Sequence, residues 1–498
     1  MEKQKRQLVS KAGAELRISN VIKNPRNGCA LHGALQTVQE IRGAVPVVHA
    51  NAGCGVVNYL AQRNGSGGGA RYSGFSIPGT AAQERHVIFG GASRLREQIK
   101  NTIKVQKGDL YVILNSCESA MVGDDVDAMT REIVEQGEPV VDTLVAGFNG
   151  GIHYGYEHVL ADILKSLDGI FKSDIEKDER LVNVFGIVPD KDPYWQGNLI
   201  EIKRILNGFG LKANVFFGAT GSVHQLKNAK NAAVSIVFTK WGELPAKVLK
   251  EKYDVPVIIR PSLPADANGV QELATALAEI VELDASKVDE FIADEEDFEN
   301  SILYRVRDEI FEYGLSKTAA FIGEEEQAIR IGGFLKNRFG VEFSAIVLTD
   351  ALKKDEEHET DNGALLAAIS ENVYIANDQK EINDILRGSG AEVIFGSSLE
   401  KDIAGRLNVP LVEVSYPIVD RVILNKTSVG TNGVISLIEE YVTVVKEYDV
   451  RKKEIASSIV RGVQGGESWQ ERLQKKSYSN KLSSITELQT REYISAQR

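Results

Sequence analysis

Three cysteines, Cys29, Cys54 and Cys117, carry the most constraining chemistry in this 498-residue sequence. Each lies in a segment rich in Gly, Asn and Ser: Asn27-Gly28-Cys29, Asn51-Ala52-Gly53-Cys54-Gly55 and Asn115-Ser116-Cys117-Glu118-Ser119. An odd number cannot close internally as disulfides, so the thiols are either inert and buried or ligands whose partners lie elsewhere. A free cysteine usually packs as a small apolar side chain inside a strand or helix. These three instead occupy turns that expose backbone N–H groups. Such turns suit thiolates that bind iron, because N–H groups aimed at sulfur stabilise a negatively charged cluster. Their separations, 25 and 63 positions, match neither a zinc ribbon nor a ferredoxin run, so the fold must assemble the set. A cluster normally takes about four or more protein ligands. Three fall short, and the rest would come from another subunit across an interface.

The other polar motifs are weaker. His86-Val87-Ile88-Phe89-Gly90-Gly91 leading into Ser93 to Ile99 reads as strand, glycine turn and helix, ordinary β/α punctuation rather than a phosphate loop. Gly123-Asp124-Asp125-Val126 places acids where a helix begins, a position that stabilises the helix N-terminus. Asn64 to Arg71 is the one glycine-dense loop. The seven histidines, among them His32, His49 and His153, form no metal-binding pair at helical spacing and read as hydrogen-bonded structural residues. No G-x-x-x-x-G-K-[ST] loop and no G-x-S-x-G elbow occur, which excludes a P-loop ATPase and that class of esterase.

The elements that must position the cysteines are short β-branched runs alternating with helical patterns, the mark of parallel α/β sheets. Val45 to His49, Leu110 to Leu114 and Pro139 to Val141 read as strands in the first third. Val182 to Val188, Ala213 to Phe217, Ala233 to Phe238 and Val255 to Ile259 follow in the second, and Thr318 to Ile322, Phe343 to Leu348, Glu392 to Phe395 and Leu411 to Val414 in the last. Charged stretches at Lys172 to Arg180 and Asp294 to Glu299 read as seams. The expected fold is therefore α/β, with three doubly wound Rossmann-like domains of parallel sheets and a helical C-terminal extension. The divisions are an arm at 1–20, domains at 21–172, 173–300 and 301–447, and the extension at 448–498. With 43% hydrophobic and 26% charged residues the chain can build packed cores, and a net charge of −12 argues against a general nucleic-acid partner. Apolar runs fall short of the ~20 residues a membrane span needs, so the expected setting is cytoplasmic, with no membrane partner.

Five ordered motifs resemble one family. Asn24-Pro25 ahead of Cys29, Val48-His49 with Gly53-Cys54-Gly55, Val87 to Gly91, and Ser116 to Ser119 with Gly123-Asp124-Asp125 resemble the N-terminal domain of nitrogenase component 1 subunits. Gly396 to Ala404, followed by Val409-Pro410-Leu411 and Tyr416 to Arg421, is similar to that family's last domain. The resemblance implies a heterotetramer of two related subunits with a P-cluster-type iron–sulfur cluster between them. Cys29, Cys54 and Cys117 match the three cysteines each subunit contributes. It also implies an alpha-type partner that holds a large iron–sulfur cofactor, and transient docking of a homodimeric ATP-dependent iron–sulfur reductase. No cysteine follows Cys117, so this chain lacks the thiolate that holds that cofactor and resembles the beta type.

Two departures bear on substrate. The stretch from Cys54 to Phe89 is long for molybdenum-nitrogenase beta chains because of the Asn64 to Arg71 loop, and Phe148 to His153 carries glycines where the family has a Ser-bearing turn. The expected activity is electron relay to the partner's cofactor for reduction of a small molecule that need not be dinitrogen, such as a methylthio-alkane. The alternatives are a cofactor-assembly scaffold and a nitrogenase beta chain proper. The complete cysteine trio disfavours beta-like scaffold and tetrapyrrole-reductase chains.

Overall fold

Alternation along the first strands explains why helices cover both faces of their sheet. In β1 (Ala44–His49), Ala44 and Val48 face one apolar cluster while Val45 and Val47 face another; β2 (Leu110–Asn115) repeats this with Leu110, Val112 and Leu114 against Tyr111 and Ile113. A strand buried on both faces needs a layer of helix on each side, which is the doubly wound arrangement. Burying each such Val, Leu or Ile contributes about 1.5–3 kcal/mol. The computed structural model describes residues 26–56, 77–171, 176–350 and 362–464.

Three parallel sheets follow one another along the chain. The first orders β1–β2–β3, with β3 at Val140–Thr143. The second orders β5–β4–β6–β7, formed by β4 (Asp178–Phe185), β5 (Lys212–Asn214), β6 (Ala232–Val237) and β7 (Val257–Ile259). The third orders β10–β9–β8–β11–β12, formed by β8 (Thr318–Gly323), β9 (Glu342–Leu348), β10 (Val373–Ile375), β11 (Val393–Gly396) and β12 (Leu411–Glu413). Among the described residues every pair of neighbouring strands in these sheets is parallel.

Three expectations from the sequence need correction. Residues 86–89 are not a strand: they belong to the helix Glu84–Phe89, whose residues are all at least partly exposed. β10 has no counterpart among the expected strands; it is a three-residue edge strand. The stretch Asp294 to Glu299 is not a linker but part of the 21-residue helix Ala285–Arg305. Its charges are built in, Glu295 pairing with Arg204 at 2.7 Å and Glu299 accepting from the Ala267 N–H at 2.8 Å. Toward the C-terminus one helix runs Gly430–Gln464, through the expected start of the extension. The arm at 1–20 and the loop Asn64 to Arg71 lie outside the described residues. Among the described residues no helix is long and apolar enough to cross a membrane.

Buried polar contacts tie the segment ahead of Cys29 to the third sheet. Arg26 donates to Glu400 at 2.5 Å, to Ser397 Oγ at 2.9 Å and to the Tyr416 carbonyl at 2.8 Å. Glu400 in turn accepts from the Ser397 N–H and hydroxyl at 2.8 and 2.7 Å. The Gly396 to Ala404 motif therefore forms the socket of Arg26. Asn27 donates to the Thr349 carbonyl at 3.1 Å and accepts from buried Lys191. His153, on the helix following the first sheet, meets Glu324 at 2.9 Å and stacks on Trp241.

Candidate metal centre

Each cysteine sits at the start of a helical turn, where backbone N–H groups have no partner within the helix. Cys29 is the N-cap of α1 (Ala30–Gln39) and bridges Gly151, the N-cap of the helix Ile152–Lys165, with the Ala30 N–H donating to the Gly150 carbonyl at 2.9 Å. Cys54 lies in a helical turn at 52–56, just after β1. Cys117 opens the helix Cys117–Val122, just after β2. That last turn is held by a capping box in which Ser116 and Ser119 serve each other's N–H groups, and the Ser119 hydroxyl donates to the His49 carbonyl at 3.2 Å. Asn51 joins the Cys54 and Cys117 turns. Its Oδ1 accepts from the Gly53 N–H at 2.8 Å while its Nδ2 donates to Glu118 at 2.9 Å.

Gly147 marks the point where two of the sulfurs meet. A Cβ added there would lie 3.0 Å from Cys117 Sγ and 3.1 Å from Cys29 Sγ, too close for a side chain without displacement. Burial pushes the Cys54 thiol above its usual range, helped by the nearby Cys29, Cys117 and Glu118. Burial also opposes ionisation of Cys29, yet a hydrogen bond and charge from His32, with the backbone groups of His32 and Leu31, bring its thiol below the usual range. Three thiols, a glycine cradle beside two of them and helix-start N–H groups fit an iron–sulfur group in donor type. Cys117 is exposed and the other two half-buried, so the set opens outward. Among the described residues no group of three or more His, Cys, Asp or Glu side chains could hold a metal ion by itself.

The aspartates beside the site are structural. Asp125 caps the helix Val126–Glu135 by accepting from the Ala128 N–H at 3.0 Å, as its position in the sequence suggests. Asp124 instead accepts from the Gly91 N–H at 2.6 Å and meets His49 Nε2 at 2.9 Å, while His49 Nδ1 contacts Thr80 Oγ1 at 3.1 Å. Burial holds the His49 imidazole below its usual pKa, with Asp124 opposing. A Cβ on Gly91 would come within 2.7 Å of Asp124 and 2.9 Å of His49, so the Gly90-Gly91 turn serves close packing rather than phosphate.

His32 is the residue that sequence reasoning passed over. Its Nδ1 lies 3.2 Å from Cys29 Sγ and its Nε2 3.3 Å from the Cys54 carbonyl oxygen. The signal was present as a Cys-x-x-His spacing across the first turn of α1, which puts positions i and i+3 on one face. Large apolar side chains are exposed on the elements that carry the cysteines and on neighbouring ones: Val56, Ile88, Phe89, Met121, Leu144 and Phe148, with Phe89 and Met121 85% and 80% exposed.

This arrangement has counterparts. The beta chain of the nitrogenase molybdenum-iron protein of Methanothermobacter marburgensis is 25% identical over 463 residues, covering 86% of this chain and 95% of its own length. The nitrogenase iron-molybdenum cofactor biosynthesis protein NifE of Clostridium pasteurianum is 25% identical over 404 residues, covering 78% and 82%. A chain of the light-independent protochlorophyllide reductase of Porphyra purpurea is 23% identical over 409 residues, covering 78% and 76%. Among solved structures, one titled nitrogenase Cp1 at pH 6.5 superposes with a TM-score of 0.70 at 20% identity, covering 90% of this chain and 96% of that one, a likeness of fold. The family described as nitrogenase component 1 type oxidoreductase matches residues 29–446, a span that opens on the first of the three cysteines. By that match and by these relatives, the chain belongs to the nitrogenase component 1 family as a beta-type subunit of an oxidoreductase complex.

Proposed function

We propose that this chain supplies Cys29, Cys54 and Cys117 as its half of the ligands to a P-cluster-type iron–sulfur cluster shared with an alpha-type partner in a heterotetramer. The observation that carries this reading is the meeting of Cys29 and Cys117 on Gly147 at an outward-opening site. Such a group, when bound, supplies one-electron transfer between a docked ATP-dependent iron–sulfur reductase and the large iron–sulfur cofactor of the partner, where a small substrate is reduced. The chain's own residues ligate, bury and tune. His32 and the start of α1 hold the Cys29 thiol below its usual range, Gly147 keeps side chains out of the space between sulfurs, and Asn51 holds the Cys54 and Cys117 turns together. The exposed apolar side chains on these and neighbouring elements suit a protein partner. The domain frame we propose for this work remains three sheet-bearing domains and a C-terminal extension, in a cytoplasmic setting.

The test is Cys54→Ala in the complex co-purified without oxygen. Iron should fall and the cluster's electron paramagnetic resonance signal should vanish while the subunits stay associated; an unchanged iron content and signal would overturn the reading. A wild-type complex that passes a large cluster to an apo-enzyme, yet reduces no substrate itself, would make the chain an assembly scaffold instead.

A further inference from the structure

We propose that His32 is a positioning residue of the cysteine site, a strut that hydrogen-bonds the Cys29 sulfur through Nδ1 and the Cys54 carbonyl through Nε2 and thereby raises the reduction potential of the cluster those cysteines hold. The proposal rests on the shared-cluster reading above and adds a role for a residue outside the ligand set.

Donor and acceptor chemistry fixes what the ring must do. A carbonyl oxygen only accepts, so the Nε2 facing the Cys54 oxygen at 3.3 Å carries hydrogen. The sulfur of a cysteine bound to iron has lost its proton and also only accepts. The Nδ1, 3.2 Å from that sulfur, therefore stands where an N–H donor to it belongs. Both contacts come from one rigid ring, which spans the N-cap of α1 and the turn after β1, segments 25 positions apart in sequence. Position 32 follows Cys29 by three residues on a helical turn, so the backbone of α1 aims the ring at the sulfur. A metal-ligating side chain is normally held by such an outer partner, and N–H groups donated to cluster sulfurs favour the more negative, reduced form. Removing the donor therefore lowers the potential. Removing the Nε2 contact alone loosens the Cys54 turn while leaving the sulfur bond available.

The test compares the wild-type complex, co-purified with its partner without oxygen, with complexes carrying His32→Leu, His32→Gln and His32→Asn. The asparagine amide nitrogen stands near the place of Nδ1 and the glutamine amide near that of Nε2. Iron content is measured first, then the cluster midpoint by electron paramagnetic resonance of redox-poised samples. All four complexes should carry the same iron. His32→Leu and His32→Gln should shift the oxidised-to-reduced ratio at fixed potential about tenfold toward oxidised, about 59 mV lower for a one-electron couple. His32→Asn should bring the midpoint back toward the wild type, because its amide replaces the donor to sulfur. The Asn and Gln pair keeps the test decisive if the leucine variant does not assemble. An unchanged midpoint at full iron in His32→Gln would overturn the proposal, as would loss of iron in all three variants, which would make His32 a ligand. A wild-type complex without iron would overturn the shared-cluster reading itself, and is recognised before any substitution is compared.

Discussion

At Gly147 the absence of a side chain leaves room for two sulfurs. The two sulfurs it separates belong to residues 88 positions apart in sequence, and neither could keep its place beside a larger residue. Gly147→Val should therefore cost about 10–100-fold in iron affinity, as losses in the shell around metal ligands do, while the far-ultraviolet circular dichroism stays that of the wild type. Iron titration of the anaerobic complex checks this, and wild-type affinity in the variant would contradict it. The turns that hold the cysteines were legible in the sequence, because Gly, Asn and Ser surround each thiol. Gly147 was not, since a glycine among other turn glycines carries no mark of what it lies against. His32 was equally hidden among seven histidines, because its two partners come from different elements and its Cys-x-x-His spacing resembles no closed metal motif.

At the scale of elements, α1 meets the helix Ile152–Lys165 backbone to backbone, beside the core packing of its Leu31, Leu35 and Val38 side chains. A Cβ on Gly33 would lie 2.0 Å from the Ile152 carbonyl oxygen, and one on Gly155 would lie 2.0 Å from the Ala30 carbonyl oxygen. The helix Ile152–Lys165 thus presses on the very turn that presents Cys29. Gly155→Ala should destabilise the chain by about 1–3 kcal/mol through overpacking and, by moving α1, should also lower iron occupancy. Denaturant unfolding with iron analysis reads both, and a variant equal to the wild type in each would show that α1 packing does not position the site. Parallel strands such as β2 and β9 were readable because strands buried on both faces appear as continuous apolar runs. The same rule misled at Val87-Ile88-Phe89, where the apolar run is an exposed helical face. Its residues are apolar yet exposed, and periodicity cannot distinguish such a face from a buried one. β10 escaped for the opposite reason, being three residues long at a sheet edge.

For the whole molecule, the motifs of the first and last thirds belong to one structure. Arg26, three residues ahead of Cys29, is buried against Glu400 and Ser397, so a socket near the end of the chain fixes the approach to the first cysteine. The sequence contains both halves of that contact, but their pairing over 374 positions is visible only in three dimensions. Despite a net charge of −12, the chain leaves apolar side chains exposed on the elements that carry or flank the cysteines, which is where a partner subunit would have to stand. In the proposed reading, three thiols and an outward-opening site would make the iron a property of the assembly rather than of the chain. The most direct measurement is anaerobic native mass spectrometry with iron analysis of this chain expressed alone and with its alpha-type partner. The expected result is a chain that holds no stable cluster alone and a complex in which the cluster appears with both subunits present. A chain that carries its full cluster without the partner, or a complex with no iron at all, would contradict a shared cluster.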